Sequence, residues 1–374
     1  MKIESFINTI NSEFYSGVPD SLLSPLCNYL MDRYGIDKKH HIIAANEGNS
    51  VAIAAGYNLA TQKIPVVYMQ NSGEGNIVNP VTSLIHEKVY SIPMIFIIGW
   101  RGEPNVHDEP QHIYQGKITT DLVKILDIEY YIIDVDTKIE DLQNKMQEFN
   151  QILNSGKSVA FIIKKNALEY DNKIKYTNNY FNSREEFLEI ITEYSKDDLI
   201  VSTTGKTSRE LFEIRERNNV SHKYDFLTVG SMGHCSSIAL GLAINCPSKR
   251  VWCIDGDGAC IMHMGSMATI GSVKPNNYIH VVINNESHES VGGMPTVSKD
   301  IDLCGIAKSS GYEVIKSIQK IEDLQRVLVE VLQEKKLSFI EVKAKIGSRD
   351  SLGRPTISPI ENKNNFINYI NECK

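Results

Sequence analysis

Arg250–Gly258 reads RVWCIDGDG, an apolar run that ends in two aspartates, each followed by a glycine. Its first five residues predict a buried strand, and a helix-like segment follows the last glycine. The next predicted strand, Tyr278–Ile283, ends at Asn284-Asn285. From Asp257 to Asn285 is 28 positions, enough for one helix and one strand. This spacing predicts two parallel neighbouring strands whose polar ends meet at one edge of a sheet.

The residue types at that edge suit a diphosphate held through a metal ion. A carboxylate from Asp257 and an amide oxygen from Asn285 are hard ligands of the kind that Mg²⁺ prefers. Gly256 and Gly258 allow the backbone to approach phosphate oxygens closely. An isolated Gly-Asp-Gly is commonly an ordinary turn, so the interpretation depends on its pairing with Asn-Asn.

Two other phosphate motifs are excluded by position. Gly205-Lys206-Thr207 resembles the end of a P-loop, but Ile200 stands where that motif needs a glycine. Gly256-x-Gly258 resembles a dinucleotide fingerprint, but its third glycine would fall at Ile261.

The same alternation of apolar runs and amphipathic segments extends along the whole chain. It predicts an α/β protein with two doubly wound parallel-sheet domains. The predicted strands are His41–Ala45, Val66–Gln70, Met94–Ile98, Tyr130–Asp134, Val159–Lys164, Leu199–Thr203, Phe226–Val229, Arg250–Ile254, Tyr278–Ile283, Tyr312–Ile315 and Phe339–Val342. The clearest predicted helices are Ser50–Ala60, Ile139–Asn154, Ser237–Ile244 and Ile321–Glu334.

An aperiodic stretch rich in Asn, Tyr, Lys and Asp, from about Glu169 to Asn182, separates the two halves. We therefore expect a first domain over 1–170, a linker over 171–183 and a second domain over 184–374.

Composition limits the classes of partner. The net charge of -7 disfavours nucleic acid, and 42% hydrophobic with 23% charged residues is typical of a globular protein. We expect a cytoplasmic chain, because no secretory signal or membrane span is visible. The odd number of cysteines and their apolar surroundings predict reduced thiols. They are Cys27, Cys235, Cys246, Cys253, Cys260, Cys304 and Cys373.

The Gly-Asp-Gly … Asn-Asn pattern resembles the signature of thiamine-diphosphate-dependent enzymes, and further motifs resemble the phosphonopyruvate decarboxylase family within them. These motifs are Gly17-Val18-Pro19-Asp20-Ser21, Ala45-Asn46-Glu47-Gly48, Met69-Gln70-Asn71-Ser72-Gly73, Arg101-Gly102-Glu103-Pro104, Asp108-Glu109-Pro110-Gln111-His112, Thr204-Gly205-Lys206-Thr207-Ser208-Arg209-Glu210-Leu211, Gly230-Ser231-Met232-Gly233-His234, Ser290-Val291-Gly292-Gly293 and Leu352-Gly353-Arg354-Pro355-Thr356. The cofactor pattern alone belongs to a large superfamily. The combination is more specific and runs nearly end to end.

The resemblance implies a pyrimidine-binding first domain and a diphosphate-binding second domain, with thiamine diphosphate and Mg²⁺ as cofactors. It implies a homodimer or a higher homo-oligomer with the active site between subunits. The catalytic residue would be Glu47, sharing a proton with the aminopyrimidine ring; otherwise it is a helix-start glutamate favoured by the dipole.

The resemblance also implies the cofactor-site residues. The metal ligands would be Asp257, Asn285 and the backbone carbonyl of Ser287, where the family usually has glycine. Residues expected to line the cofactor are Asn71, Ser72, Gly73, Gly230, Met232, Gly256, Asp257, Gly258, Ala259 and Asn285.

A substrate with a carboxylate and a second strong anion needs several fixed donors. The candidates are Arg101, His112, Lys206, Arg209, His234 and His288. For each of them, a solvated charge or a satisfied loop histidine is an equal alternative. His107 and His112 lack the spacing of a helical zinc motif, and we expect that segment to be a mobile active-site loop.

The implied reaction is the non-oxidative decarboxylation of 3-phosphonopyruvate to phosphonoacetaldehyde and CO₂, a step of phosphonate biosynthesis. Sulfopyruvate decarboxylase is the nearest alternative, because a sulfonate differs from a phosphonate mainly by one charge. A non-catalytic cofactor-binding scaffold would be expected to have lost Glu47 or the metal motif. A carboligating synthase usually has a further middle domain, for which this chain has no room.

Overall fold

The computed structural model describes residues 1–372, and the chain divides into two compact units, Met1–Lys175 and Tyr176 onward. Each unit is built on one six-stranded sheet in which all neighbouring strands are parallel. The boundary between the units falls inside the segment 171–183. The two domain ranges and their binding roles stay predictions.

The first unit has the strand order β2-β1-β3-β4-β6-β5. Its strands are β1 Tyr15–Gly17, β2 His41–Ile43, β3 Val66–Gln70, β4 Ile95–Gly99, β5 Glu129–Ile133 and β6 Val159–Ile163. Its helices are α1 Ile3–Ile10, α2 Ser24–Arg33, α3 Glu47–Thr61, α4 Glu74–Pro80, α5 Pro110–Ile125 and α6 Ile139–Asn154.

The second unit has the strand order β13-β14-β10-β9-β7-β8, with a separate two-stranded antiparallel pair, β11-β12. Its strands are β7 Leu199–Ser202, β8 Asp225–Leu227, β9 Val251–Gly256, β10 Tyr278–Asn284, β11 Ser287–His288, β12 Met294–Pro295, β13 Val314–Ile318 and β14 Ser338–Lys343. Its helices are α7 Arg184–Ser195, α8 Lys206–Arg217, α9 Cys235–Asn245, α10 Asp257–Met262, α11 Gly265–Val273, α12 Leu303–Ser310, α13 Ile321–Glu334 and α14 Pro359–Glu372.

The two six-stranded sheets share one topology. If the six strands of each sheet are numbered along the chain, both read 2-1-3-4-6-5. In such open parallel sheets, ligands bind at the carboxyl ends of the strands where the order reverses, between the first and third strands. That point lies between β1 and β3 in the first unit and between β7 and β9 in the second.

Both faces of the first sheet are covered, since successive side chains of β6 point to opposite sides and all five are buried. On one side of β6, the ring of Phe161 contacts Phe6 of α1 and Phe149 of α6. On the other side, Ala160 and Ile162 belong to a buried cluster that includes Val51 and Ala54 of α3. This double burial explains why the strands are nearly continuous apolar runs.

The predicted α/β architecture is confirmed, and all eleven predicted strands are present. Val66–Gln70 agrees to the residue, and the others are shifted or resized by one to three positions. The helices Ile139–Asn154 and Ile321–Glu334 also agree to the residue. The pattern did not predict β1, whose sequence Tyr-Ser-Gly is too short and too mixed to give an apolar run, or the two-residue strands β11 and β12.

The segment predicted as a linker has structural contacts of its own. The side-chain amide of Asn178 donates hydrogen bonds to the backbone carbonyls of Asn285 and Ala344, at 3.0 and 2.9 Å. Tyr180 donates to Glu286 at 2.7 Å. A Ser183–Glu186 capping box then starts α7. The end of the segment thus holds the backbone beyond β10.

Six of the seven cysteines are free thiols, with Cys27, Cys235, Cys253 and Cys260 buried. Cys373 lies outside the described residues. Within residues 1–372, no helix has both the length and the apolar character of a membrane span. The prediction of a cytoplasmic location stays a prediction.

Candidate functional site

The polar ends of β9 and β10 meet as the sequence spacing predicted. Gly256 is aligned with Ile283 in the parallel register, so Asp257 and Asn284 leave the same edge of the sheet. The hydroxyl of Ser298 joins the two ends, since it lies 2.9 Å from Oδ2 of Asp257 and 2.9 Å from Oδ1 of Asn284.

Asp257 is a buried carboxylate, with 3% of its surface exposed. Burial raises its pKa to about 6, although hydrogen bonds donated by Thr296 at 2.5 Å and Ser298 at 2.9 Å offset part of that rise. These two side-chain partners are neutral. A cation at this carboxylate would therefore stabilise a charge that the surrounding protein compensates only in part.

The amide of Asn285 is held on both sides. Its Nδ2 donates to Glu289 at 2.6 Å, and its Oδ1 accepts a hydrogen bond from the backbone N–H of Ser287 at 3.1 Å. Ser287 lies opposite Pro295 in the β11-β12 pair, and a proline has no N–H to donate to the Ser287 carbonyl.

The oxygen donors at this edge match a hard divalent cation. A carboxylate, an amide oxygen and a backbone carbonyl, with phosphate oxygens as further ligands, form the coordination set expected for Mg²⁺. The residues present therefore fit the metal that the sequence motif predicted.

Two glycines permit close packing beside this edge. A Cβ on Gly258 would lie 3.1 Å from the ring of His288, so the imidazole packs directly on the backbone of α10. Gly233 has a φ of +85°, and a Cβ there would lie 2.6 Å from His263 and 3.1 Å from the carbonyl of Ala259. The loop that carries Gly230 and Met232 consequently packs against the helix that begins at Asp257.

In the first unit, Glu47 is the first residue of α3. Asn46 caps this helix, because its side-chain oxygen accepts the backbone N–H of Asn49 at 2.9 Å. The Glu47 carboxyl is buried, which raises its pKa, and a hydrogen bond from Asn76 at 2.6 Å counteracts part of the rise. Glu47 is therefore a carboxyl that holds a proton more readily than an exposed glutamate does.

Gly73 leaves the space that Glu47 occupies. A Cβ on Gly73 would lie 2.5 Å from both Cγ and Oε1 of Glu47. The neighbouring Ser72 is exposed and donates to Gln70 at 2.8 Å, and Gln70 donates to the buried carboxylate of Asp20 at 2.6 Å. These residues follow β3, where the observed strand order reverses.

The side chain of Asn71 is already engaged within the first unit. Its amide donates to the carbonyl of Arg101 and to the hydroxyl of Thr119, both at 2.8 Å, and its oxygen accepts the backbone N–H of Arg101 at 3.1 Å. Asn71 thus ties the end of β3 to the loop after β4. Its expected contact with a cofactor stays a prediction.

The cationic candidates for substrate binding all have protein partners. Arg101 forms a two-point ion pair with Asp108, and Lys206 bonds Glu289 at 2.7 Å. Arg209 donates to the backbone carbonyls at positions 352 and 353. Arg101 and Lys206 are thus paired with carboxylates, whereas the hydrogen bonds of Arg209 go to neutral carbonyls.

The histidine candidates differ in environment. Burial lowers the pKa of both His288 and His112 to about 4, with the charge of Arg101 as a further cause at His112, so both rings are neutral near pH 7. His234 is exposed, and its ring lies 4.3 Å from that of His263. The six candidates divide between the two units, with Arg101 and His112 in the first, and their substrate roles stay predictions.

Sequence reasoning missed the groups that hold the site residues. Asn76, Glu289, Thr296 and Ser298 contact predicted residues, but each lies outside a recognisable motif. The one available signal was a cluster of polar residues just after a strand end. That signal does not indicate which of these residues turns inward.

Glu74 is a further buried acid that the sequence did not single out. It is fully buried, and neither carboxyl oxygen has a hydrogen-bond partner among residues 1–372. Burial raises its pKa to about 9, so this carboxyl is protonated at neutral pH.

Comparisons with known proteins agree with the two-domain α/β architecture. The family described as thiamine pyrophosphate enzyme, N-terminal TPP binding domain, matches residues 4–125, and the corresponding C-terminal TPP binding domain matches residues 203–342. A phosphonopyruvate decarboxylase of Streptomyces viridochromogenes is 32% identical over 95% of this chain and 90% of its own length. The phosphonopyruvate decarboxylase of Streptomyces hygroscopicus is 32% identical over 96% and 90%. The sulfopyruvate decarboxylase subunit beta of Methanocaldococcus jannaschii is 36% identical over 48% of this chain and 93% of its own length.

The contact between Gly73 and Glu47 predicts that an alanine will be tolerated differently at two glycines, Gly73 just before α4 and Gly75 within it. Gly73→Ala should destabilise the protein by about 1–3 kcal/mol, because its methyl group cannot fit beside the Glu47 carboxyl. Gly75→Ala is the matched control, since nothing lies within 4 Å of its Cβ position and alanine favours a helix. Urea unfolding measures both free energies. Equal stability of the two variants would contradict the packing described.

The raised pKa of the buried Glu74 carboxyl should make the free energy of unfolding depend on pH. The folded pKa of about 9 exceeds the ordinary value of 4.5, so the stabilisation present at low pH is lost as pH rises from about 4.5 towards 9. Glu74→Gln should remove this loss. The free energy of unfolding of the variant, relative to that of the unmodified protein, should therefore increase between pH 5 and pH 8, by at most about 1.4 kcal/mol per pH unit. Urea unfolding at both pH values tests this, with the exposed Glu140→Gln as control. A pH-independent difference would show that Glu74 is ionised in the folded protein.

Proposed function

The chain belongs to the phosphonopyruvate decarboxylase family of thiamine pyrophosphate enzymes, and on that premise we propose that it decarboxylates 3-phosphonopyruvate to phosphonoacetaldehyde and CO₂. The observation that carries this proposal is the edge formed by Asp257 and Asn285, in a chain similar to such an enzyme over 95% of its length. The cofactors proposed are thiamine diphosphate and Mg²⁺, and the cellular role is a step of phosphonate biosynthesis in the cytoplasm.

In the second unit, Asp257, Asn285 and the carbonyl of Ser287 would hold Mg²⁺. The buried, incompletely compensated charge of Asp257 favours a bound divalent cation. Ser298 and Thr296 orient that carboxylate, and Asn178 fixes the backbone at Asn285. The glycines Gly256 and Gly258 keep the adjoining backbone bare, so that a diphosphate can approach.

In the first unit, Glu47 would exchange a proton with a ring nitrogen of the cofactor. Thiamine diphosphate, when bound, supplies the carbon nucleophile and accepts the electrons left when CO₂ departs. The raised pKa of Glu47 suits a group that shares a proton with a weakly basic ring nitrogen. Asn76 orients its carboxyl, and Gly73 provides the space for it.

We also propose a homodimer as the smallest active assembly, with Glu47 of one subunit acting on the cofactor held by Asp257 of another. The substrate's second anion would be bound by a subset of Arg101, His112, Lys206, Arg209, His234 and His288. Since Arg101 and Lys206 are ion-paired, a bound phosphonate would have to share them with Asp108 and Glu289.

A substrate panel tests the reaction. With thiamine diphosphate and Mg²⁺ present, CO₂ release from 3-phosphonopyruvate should have a higher kcat/KM than release from sulfopyruvate or pyruvate. A higher kcat/KM for sulfopyruvate would favour the activity named for the Methanocaldococcus relative. Cofactor binding without CO₂ release from any of the three would indicate a binding scaffold.

Glu47→Gln tests the proton-transfer role. The amide keeps the shape of the carboxyl but cannot take up a proton, so turnover should fall by roughly a hundred-fold or more. Thiamine diphosphate binding, measured by calorimetry, should change little. The exposed Glu140→Gln is the control for turnover, and near-normal CO₂ release by Glu47→Gln would refute the proposed role.

A further inference from the structure

Glu289 connects three side chains beside the proposed metal ligands. Its carboxylate accepts hydrogen bonds from Asn285 Nδ2 at 2.6 Å, Lys206 Nζ at 2.7 Å and Arg184 at 3.0 Å. Only 8% of the Glu289 side chain is exposed. Three donors therefore converge on one buried acceptor, and Asn285 is the only one of them that carries no charge.

The chemistry of this contact determines which way the Asn285 amide faces. An ionised carboxylate can only accept hydrogen bonds, so the atom that Asn285 presents to it must be the NH₂ group. The amide oxygen then faces away from Glu289, where it already accepts the N–H of Ser287 at 3.1 Å. The reverse orientation would place two oxygens against each other at Glu289.

The carboxylate of Glu289 is itself held by charge. Lys206 approaches one of its oxygens, and Arg184 approaches the other. Arg184 is anchored in turn by a two-point ion pair with Glu210, at 2.6 and 2.7 Å. A buried pair of this kind has well-defined geometry, so Glu289 has little freedom to turn away from Asn285.

We propose that Glu289 is a positioning residue that fixes the oxygen of Asn285 toward the metal, with Lys206 and Arg184 holding Glu289 in place. This inference rests on the proposed function, because it takes Asn285 to be a ligand of Mg²⁺. Lys206 then serves the metal site through Glu289. A glutamine at 289 could donate as well as accept, and it would no longer select one orientation of the Asn285 amide.

Glu210 provides a matched control within the same buried network. It contacts Arg184, as Glu289 does, but forms no hydrogen bond with Asn285 or Lys206 in the part of the chain that the structure describes. A variant at Glu210 therefore acts directly on the buried arginine and can reach the amide only through Glu289. A purely structural role of Glu289 should give the same phenotype at both positions.

The experiment measures Mg²⁺ affinity by calorimetry at saturating thiamine diphosphate. Glu289→Gln should weaken Mg²⁺ binding by about ten- to a hundred-fold, the usual effect of removing a group that orients a metal ligand. Glu210→Gln should lower the affinity clearly less than Glu289→Gln does, because Lys206 still holds Glu289, and Asp257→Ala marks the loss expected when a ligand is removed. Thermal unfolding without metal checks that each variant is folded.

A second variant covers the case in which Glu289→Gln does not fold. Lys206→Met removes one of the charges that hold Glu289, from a side chain that is 25% exposed, and should weaken Mg²⁺ binding in the same direction. If Glu289→Gln does fold, the double variant Glu289→Gln/Lys206→Met should weaken Mg²⁺ binding by less than the sum of the two single effects, since both act through the contact between Glu289 and Asn285.

The outcomes separate this inference from the proposed function. Unchanged Mg²⁺ affinity in Glu289→Gln and Lys206→Met, or an equal loss in Glu210→Gln, would overturn the positioning role while leaving the reaction intact. A lack of Mg²⁺-dependent cofactor binding by the unmodified protein would overturn the proposed function and the inference together.

Discussion

The burial of one negative charge, on Asp257, is the constraint on which the second unit's site depends. A carboxylate removed from water must be compensated by hydrogen bonds or by a cation. The fold supplies two hydroxyls, from Thr296 and Ser298, and leaves the pKa of the acid raised. The proposed metal ion would provide the remaining compensation.

Residues that are not themselves proposed ligands hold the site residues of that edge in place. Asn178 holds the backbone of Asn285, while Glu289 holds its side chain. The segment that separates the two apolar halves of the sequence therefore contributes to the site, rather than only joining two domains. Buried ion pairs add little net stability, but they hold groups in defined geometry. The Arg184–Glu289–Lys206 cluster has that role here.

The first unit handles its acid differently. Glu47 has one neutral hydrogen-bond partner, Asn76, and it sits against a glycine rather than against charges. Burial without a counter-ion favours the protonated carboxyl, which suits an acid that exchanges a proton. At Asp257 the two hydroxyl partners offset part of the pKa rise that burial causes, and a bound metal ion would favour the ionised form further. One fold topology, repeated in two units, thus places two carboxyls in environments suited to different tasks.

The sequence by itself determined the architecture and the identity of the main polar residues. Parallel strands that are buried on both faces form long apolar runs, and these runs located eleven strands. The spacing from Asp257 to Asn285 then placed both residues at one edge, because a strand–helix–strand unit returns the chain to the same end of the sheet. Only the tertiary structure decided how those residues are held. Asn178, Glu289, Thr296 and Ser298 reach the edge from segments without periodicity, and Asn76 reaches Glu47 from another helix. Side-chain hydrogen bonds between distant segments follow from the path of the folded backbone, and no local pattern in the sequence records that path.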